Sequence, residues 1–197
     1  MTILPFDEIN SLESRISTHF EDGGECEDGK KGRIKSRKDC EDIIDELLDL
    51  FLLSYASGAN ATNAELGTTE IPSADAANTA VYADVAGENW KDRVEKYFET
   101  GGTLYDIRRI AETDAIRIYN QGALDAVAAN GITNANKRWV TMMDDRVRDT
   151  HDYLEGMVVP FNQEFYTYDG DHAAAPGLFQ KAENNVNCRC VIEVIRG

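Results

Sequence analysis

Cys188 and Cys190 stand one residue apart in Asn187-Cys-Arg-Cys190 and run into the apolar stretch Val191-Ile-Glu-Val-Ile195. Thiolates are soft donors, and two of them this close suit one borderline-soft ion such as zinc. On a strand, residues i and i+2 point to one face, so both sulfurs should project together. A disulfide across the same spacing needs strained geometry. Zinc takes further nitrogen or sulfur ligands, and His151 and His172 are the histidines of this part of the chain. His151 has Asp149 and Asp152 beside it, carboxylates of the kind that orient a ligating imidazole. The candidate metal set is therefore His151, Cys188 and Cys190. The bland alternative is two buried thiols acting as small apolar side chains.

A nucleophilic enzyme is the other sharp reading, because histidine can activate a cysteine. It needs a hydrogen-bonded pair and an oxyanion site, and the sequence fixes neither. Asp144, Asp145, Asp149 and Asp152 read as a solvated helical face, with Arg146 and Arg148 in structural ion pairs such as Asp145–Arg148. The expectation is no catalytic residue, and no cofactor unless zinc is held. Cys26 and Cys40 read as incidental, with Cys40 on a buried helix stripe.

The elements that must position this chemistry follow from periodicity and breakers. The chain has 197 residues and a formal net charge of −16. That acidity argues against direct binding to naked DNA or an anionic membrane. No apolar run reaches the ~20 residues of a membrane span. Residues 1–20 show no secretory signal pattern. With four cysteines, the chain reads as made for a reducing compartment.

Phe6, Ile9, Leu12, Ile16 and Phe20 recur at helical spacing and predict an amphipathic helix over 6–20. Residues 21–38 read as a loop broken by Gly23, Gly24 and Gly29 and carrying the basic cluster Lys30, Lys31, Arg33, Lys35, Arg37 and Lys38. The cluster reads as a solvated loop before it reads as a nucleic-acid or partner contact. A second helix, capped by Asp39, presents Ile43, Ile44, Leu47, Leu48, Phe51 and Tyr55 on one face. Leu50, Leu52 and Leu53 extend that face almost round the helix, so it must be covered on several sides. Leu47, Leu50, Phe51, Leu52 and Leu53 are thus candidate partner contacts; packing within the chain explains them equally well.

The stretch 57–87 is poor in large apolar residues and reads as a linker or irregular arm, with a weak helix over 74–86 as an option. Trp90, Val94, Tyr97 and Phe98 predict a short helix over 88–99. Thr103, with Asp106 three residues on, caps the longest helix, whose buried stripe is Leu104, Ile107, Ala111, Ile118 and Ala126. Arg108–Glu112 and Asp114–Arg117 read as exposed pairs on it. After Asn130-Gly131 come a strand over 137–142, a short helix from Asp144 or Asp145 to Glu155, short strands near 157–160 and 165–168, and a closing strand over 189–195. The fold class is α+β: N-terminal helices and a linker, then a long helix packed on a small, mostly antiparallel sheet. The expected parts are a helical docking region (1–56), the linker or arm (57–87) and a compact domain (88–197) that folds without the first.

Ala111–Gly122 (Ala-Glu-Thr-Asp-Ala-Ile-Arg-Ile-Tyr-Asn-Gln-Gly), Asp144–His151 (Asp-Asp-Arg-Val-Arg-Asp-Thr-His), Leu154 and Gly156, Pro176 and Asn187–Cys190 follow one another in a specific order. In that order they resemble the phage Mu F-like head morphogenesis family, minor head proteins of tailed bacteriophages, over about residues 88–195. The resemblance implies a virion protein made in the host cytoplasm, few in copies and associated with the portal protein or the major capsid protein. It implies a role in head assembly or DNA delivery. The family domain also occurs fused to toxin domains, so the alternative is an enzyme or toxin-like effector acting on nucleic acid or nucleotides through His151.

Overall fold

The computed structural model describes residues 6–21, 32–85 and 87–197. Gly23, Gly24, Cys26, Gly29, Lys30 and Lys31 lie outside the described residues. The helices come first: α1 (Phe6–Ile16), α2 (Arg37–Leu66), α3 (Ala74–Val81), α4 (Trp90–Thr100) and α5 (Leu104–Ala129). Then follow β1 (Ala135–Val140), α6 (Asp149–Asp152), β2 (Val158–Pro160), β3 (Phe165–Tyr166), β4 (His172–Ala173), α7 (Ala182–Asn185) and β5 (Val191–Arg196). The strands form an antiparallel sheet in the order β2-β1-β5 and a separate β3-β4 hairpin. The α+β class expected from the sequence is the observed one. Among the described residues, no helix is long and apolar enough to cross a membrane.

Ile9, Leu12, Ile16 and Phe20 all bury, as their helical spacing requires, although the last turn tightens into a 3-10 helix over Ser17–His19. The cap of α2 is Ser36, not Asp39: the Asp39 N–H donates to the Ser36 hydroxyl. Asp39 sits in the first turn, where its carboxylate meets the His19 ring at 2.9 Å. The expected capping box of α5 is present, with Thr103 and Asp106 exchanging hydrogen bonds.

The largest departure from the sequence reading is in 57–66. These residues are not a linker; they are the last ten residues of α2. Their small side chains let α2 lie directly against α5. A Cβ on Gly58 would fall 1.9 Å from the Tyr119 carbonyl oxygen, and one on Gly122 would fall 2.2 Å from that of Tyr55. Each glycine thus admits the other helix's backbone. Ser73 caps α3, and its far end, Ala80 and Val81, is buried.

One core joins α1, the first half of α2, α3, α4 and the first half of α5. Phe51 meets the Trp90 ring edge-on at 5.0 Å inside it. Burying a ring or leucine of this kind contributes about 1.5–3 kcal/mol. A second core joins the end of α5 to the sheet, around Trp139, Leu154, Phe165, Phe179, Cys188 and Cys190.

Two polar groups are built into these cores. The Asp114–Arg117 pair is buried rather than exposed. Arg117 donates to the carbonyls of Ala80 and Val81, fastening the end of α3 to α5, while Arg93 reaches Asp114 from α4. On β1, Ala135, Lys137 and Trp139 face inward by strand alternation. Lys137 is therefore buried, its Nζ donating to the Ala174 carbonyl at 2.7 Å and lying 5.5 Å from the Phe165 ring centre. Burial lowers its pKa to about 8.

Candidate functional site

His151, Cys188 and Cys190 come together beneath the surface, their ligand atoms all within 4.8 Å of one another. The His151 Nδ1 lies 3.5 Å from the Cys188 sulfur and 3.6 Å from the Cys190 sulfur. All three side chains are buried, His151 to 1% exposure. The imidazole is held by aromatic rings: Trp139 meets it edge-on at 5.3 Å and Phe179 stacks at 5.4 Å. Its Nε2 is buried with no hydrogen-bond partner among the described residues. The carboxylates expected to orient the ring do not do so, because Asp149 and Asp152 point to solvent from the short α6.

The cysteines precede β5 rather than lying on it. They converge because the backbone before the strand is fixed at many points. Asn187 takes a positive φ of 56°, which short polar asparagine tolerates better than most residues. Its N–H donates to the Thr113 hydroxyl on α5 at 3.0 Å. Asn120, also on α5, donates to the carbonyls of Cys190 (3.2 Å) and Pro176 (3.0 Å) and accepts from the Ile192 N–H (2.9 Å). Arg148 donates to the Val186 carbonyl, and Arg189 pairs with Asp144 at 2.8 Å. Asp144 is thus a partner of Arg189 and not a helix cap; Arg148 holds the N-cap position of α6.

Thr113 and Asn120 escaped the sequence reading, and Arg117 was read only as half of an exposed pair. Their signal is spacing: positions i, i+4 and i+7 put three polar residues on one stripe of a helix that is otherwise largely buried.

The two thiols behave differently. Cys188 is held well below the ordinary thiol range by the hydrogen bond from Cys190 and by His151, against the opposing cost of burial. Cys190 is pushed up by that same hydrogen bond and by its burial.

A cavity of about 10 Å³ touches the cluster, lined by Met142, Arg146, Arg148, His151, Asn187 and Cys190 among others. It has room for about one water. Among the described residues, the cavity that His151 lines is this small one. An open groove of about 720 Å³ runs alongside, between α1 and α5, and shares Arg146 and Asn187 with it. Its Arg108 is tied to Glu13 and Glu112, and its Arg109 to Tyr97 and Asp106.

The remaining sequence candidates separate. His172 pairs with Glu164 at 2.7 Å and stacks on Tyr166, away from the cluster. Leu47, Leu50 and Phe51 are buried in the chain's own core. Leu52 and Leu53 stay on the surface, 38% and 47% exposed.

Fold and site together define a helix-rich α+β module with an internal His/Cys cluster. The sequence places that module. A family model described as Phage Mu protein F like protein matches residues 75–193, from α3 into β5, and the chain belongs to this family. All three cluster residues lie inside the match, while α1 and all of α2 lie before it. The chain is 37% identical over 103 residues, half of its length, to an NAD(+)–arginine ADP-ribosyltransferase, EFV, of Enterococcus faecalis. It is 31% identical over 118 residues, 57% of its length, to the minor head protein GP7 of Bacillus phage SPP1. The matches span 21% of the transferase and 38% of the head protein. No solved structure matches.

Proposed function

We propose that the protein is a minor head protein of a tailed phage, made in the bacterial cytoplasm and incorporated into the virion. It docks at the portal vertex or the inner head surface, against the portal protein or the major capsid protein, and acts in head assembly or DNA delivery. The observation that carries this is family membership combined with likeness to the minor head protein GP7. The buried cluster supports a non-enzymatic role, since the cavity beside His151 is only about 10 Å³. A charge of −16 fits a protein that does not adhere to packaged DNA.

The docking contact is assigned to the exposed pair Leu52 and Leu53 on α2. Deleting the N-terminal helices is a poor test of it, because α2 shares its core with α5. Surface variants leave that core intact. The experiment is quantitative mass spectrometry of procapsids, mature virions and DNA-ejected particles, with wild type and Leu52→Asp/Leu53→Asp. Low-copy wild-type protein in heads is expected, with the variant reduced at equal cellular abundance. Loss after ejection would add the delivery role. Absence of the wild type from all three particles would overturn the reading.

Likeness to the transferase favours a second reading, an effector acting on NAD or nucleic acid through His151. Incubation with NAD, DNA and RNA tests it. Turnover that disappears in a folded His151→Ala variant would establish it; no turnover by the wild type would remove it.

A further inference from the structure

Two buried thiols and one buried imidazole converge beside a small cavity that Arg146, Arg148, Asn187 and Arg189 also line. Neutral, they meet one another only through weak contacts to sulfur. The spacing of the donors fits a different occupant. Tetrahedral zinc with ligand lengths of about 2.0–2.1 Å to nitrogen and about 2.3 Å to sulfur sets its ligands about 3.5 Å apart. The two nitrogen–sulfur distances are 3.5 and 3.6 Å.

We infer that His151 Nδ1, Cys188 Sγ and Cys190 Sγ form a three-ligand site for a zinc-class divalent ion, with the fourth position taken by water from the small adjoining cavity. Binding at Nδ1 places the ring proton on Nε2. Two thiolates neutralise the ion's double charge, which removes the cost of burying either charge alone. The ion displaces the two thiol protons to solvent, so uptake releases protons. Hard cations are excluded by the donor set, since calcium and magnesium require oxygen ligands and Asp149 and Asp152 face away.

The site is preorganised by groups that do not touch the metal. Asn120 pins the Cys190 carbonyl to α5, Thr113 pins the Asn187 N–H to the same helix, Arg148 holds the Val186 carbonyl, and Trp139 and Phe179 fix the ring. Its role is to tie α6 to the approach to β5, 37 residues away in sequence. This goes beyond the head-protein reading and stands without it.

The experiment uses the full chain purified without chelator. Elemental analysis is expected to find one zinc per chain. The chelator-stripped protein, titrated with cobalt, should develop thiolate-to-cobalt charge-transfer absorption that saturates at one equivalent. Cys188→Ser, Cys190→Ser and His151→Ala should each weaken binding by about tenfold or more. Should these variants fail to fold by circular dichroism, wild-type alkylation mapped by mass spectrometry reads the site directly. Zinc should then slow labelling of Cys188 and Cys190 but not of Cys40. The proposal is overturned if stripped protein takes up neither zinc nor cobalt at micromolar concentration. It is equally overturned if labelling ignores zinc, or if the unreduced protein carries a Cys188–Cys190 disulfide.

Discussion

Replacing Gly58 by alanine should destabilise the protein, although alanine is the better helix former. The added methyl would sit 1.9 Å from the Tyr119 carbonyl oxygen, where real contacts essentially never fall below 3.0 Å. The two helices must therefore separate locally by about 1.1 Å. A gap of ~0.5–1 Å already forfeits a quarter to a half of each van der Waals contact. Tyr55, Ala59, Thr62, Tyr119 and Ala123, all buried near the crossing, lose contact together. The obstacle is backbone, which cannot swing aside, so the cost sits at or above the upper end of the ~1–3 kcal/mol typical of overpacking. Helix propensity returns about 1 kcal/mol. The net loss is about 2–4 kcal/mol, a fall in Tm of roughly 5–15 °C for a chain of this size. Urea unfolding followed by circular dichroism, with calorimetry, measures it. Gly122→Ala should behave alike, and the double variant should lose less than the sum, since both open one crossing. A Gly58→Ala protein as stable as wild type, or more stable by the propensity increment, would refute the close-crossing argument.

Asp114→Ala leaves Arg117 buried without its carboxylate and should cost about 3–5 kcal/mol, whereas Glu112→Ala, which breaks a half-buried pair, should cost under about 1 kcal/mol. Urea melts of the two side by side check the contrast. Lys137 gives a pH signature. Its folded pKa of about 8 lies below the ordinary 10.5, so between those values the unfolded chain holds a proton that the folded chain has released. Its contribution therefore rises with pH through that window, by at most about 3 kcal/mol. Lys137→Met should remove this rise and cost little at neutral pH; equal pH slopes for variant and wild type between pH 8 and 10 would contradict the assignment.

Periodicity and capping made the helices at either end of the helical region legible. Ile9, Leu12 and Ile16 declared one face, and Thr103 with Asp106 declared one start. Ser57 to Leu66 was not legible, because small residues serve equally in a tether and in a tight helix crossing. Only the facing Gly122 decides between them, and nothing in the local sequence links the two. The chemistry of the cluster was legible in its residue types: two soft donors and an imidazole. What holds them was not. Asp149 and Asp152 are neighbours of His151 in sequence but lie on the solvent side of a four-residue helix, while Asn120 reaches Cys190 and Thr113 reaches Asn187 from about 70 residues away. Lys137 shows the converse case: strand alternation placed it inside, against the expectation for its type.

The central strand β1 acquires its two neighbours at different times during synthesis. Its β2 partner begins at Val158, but its β5 partner runs only from Val191 to Arg196. At ~5–20 residues per second, a ribosome needs roughly 3–10 s to travel from the end of β1 to the end of β5. Throughout that interval the nascent chain carries an unpaired β1 edge, and Trp139 and His151 lack the segment that completes their surroundings. An unpaired edge is a template for joining another chain. A burst of translation that crowds many such chains together raises the aggregation hazard, and pairing of β5 with β1 ends it.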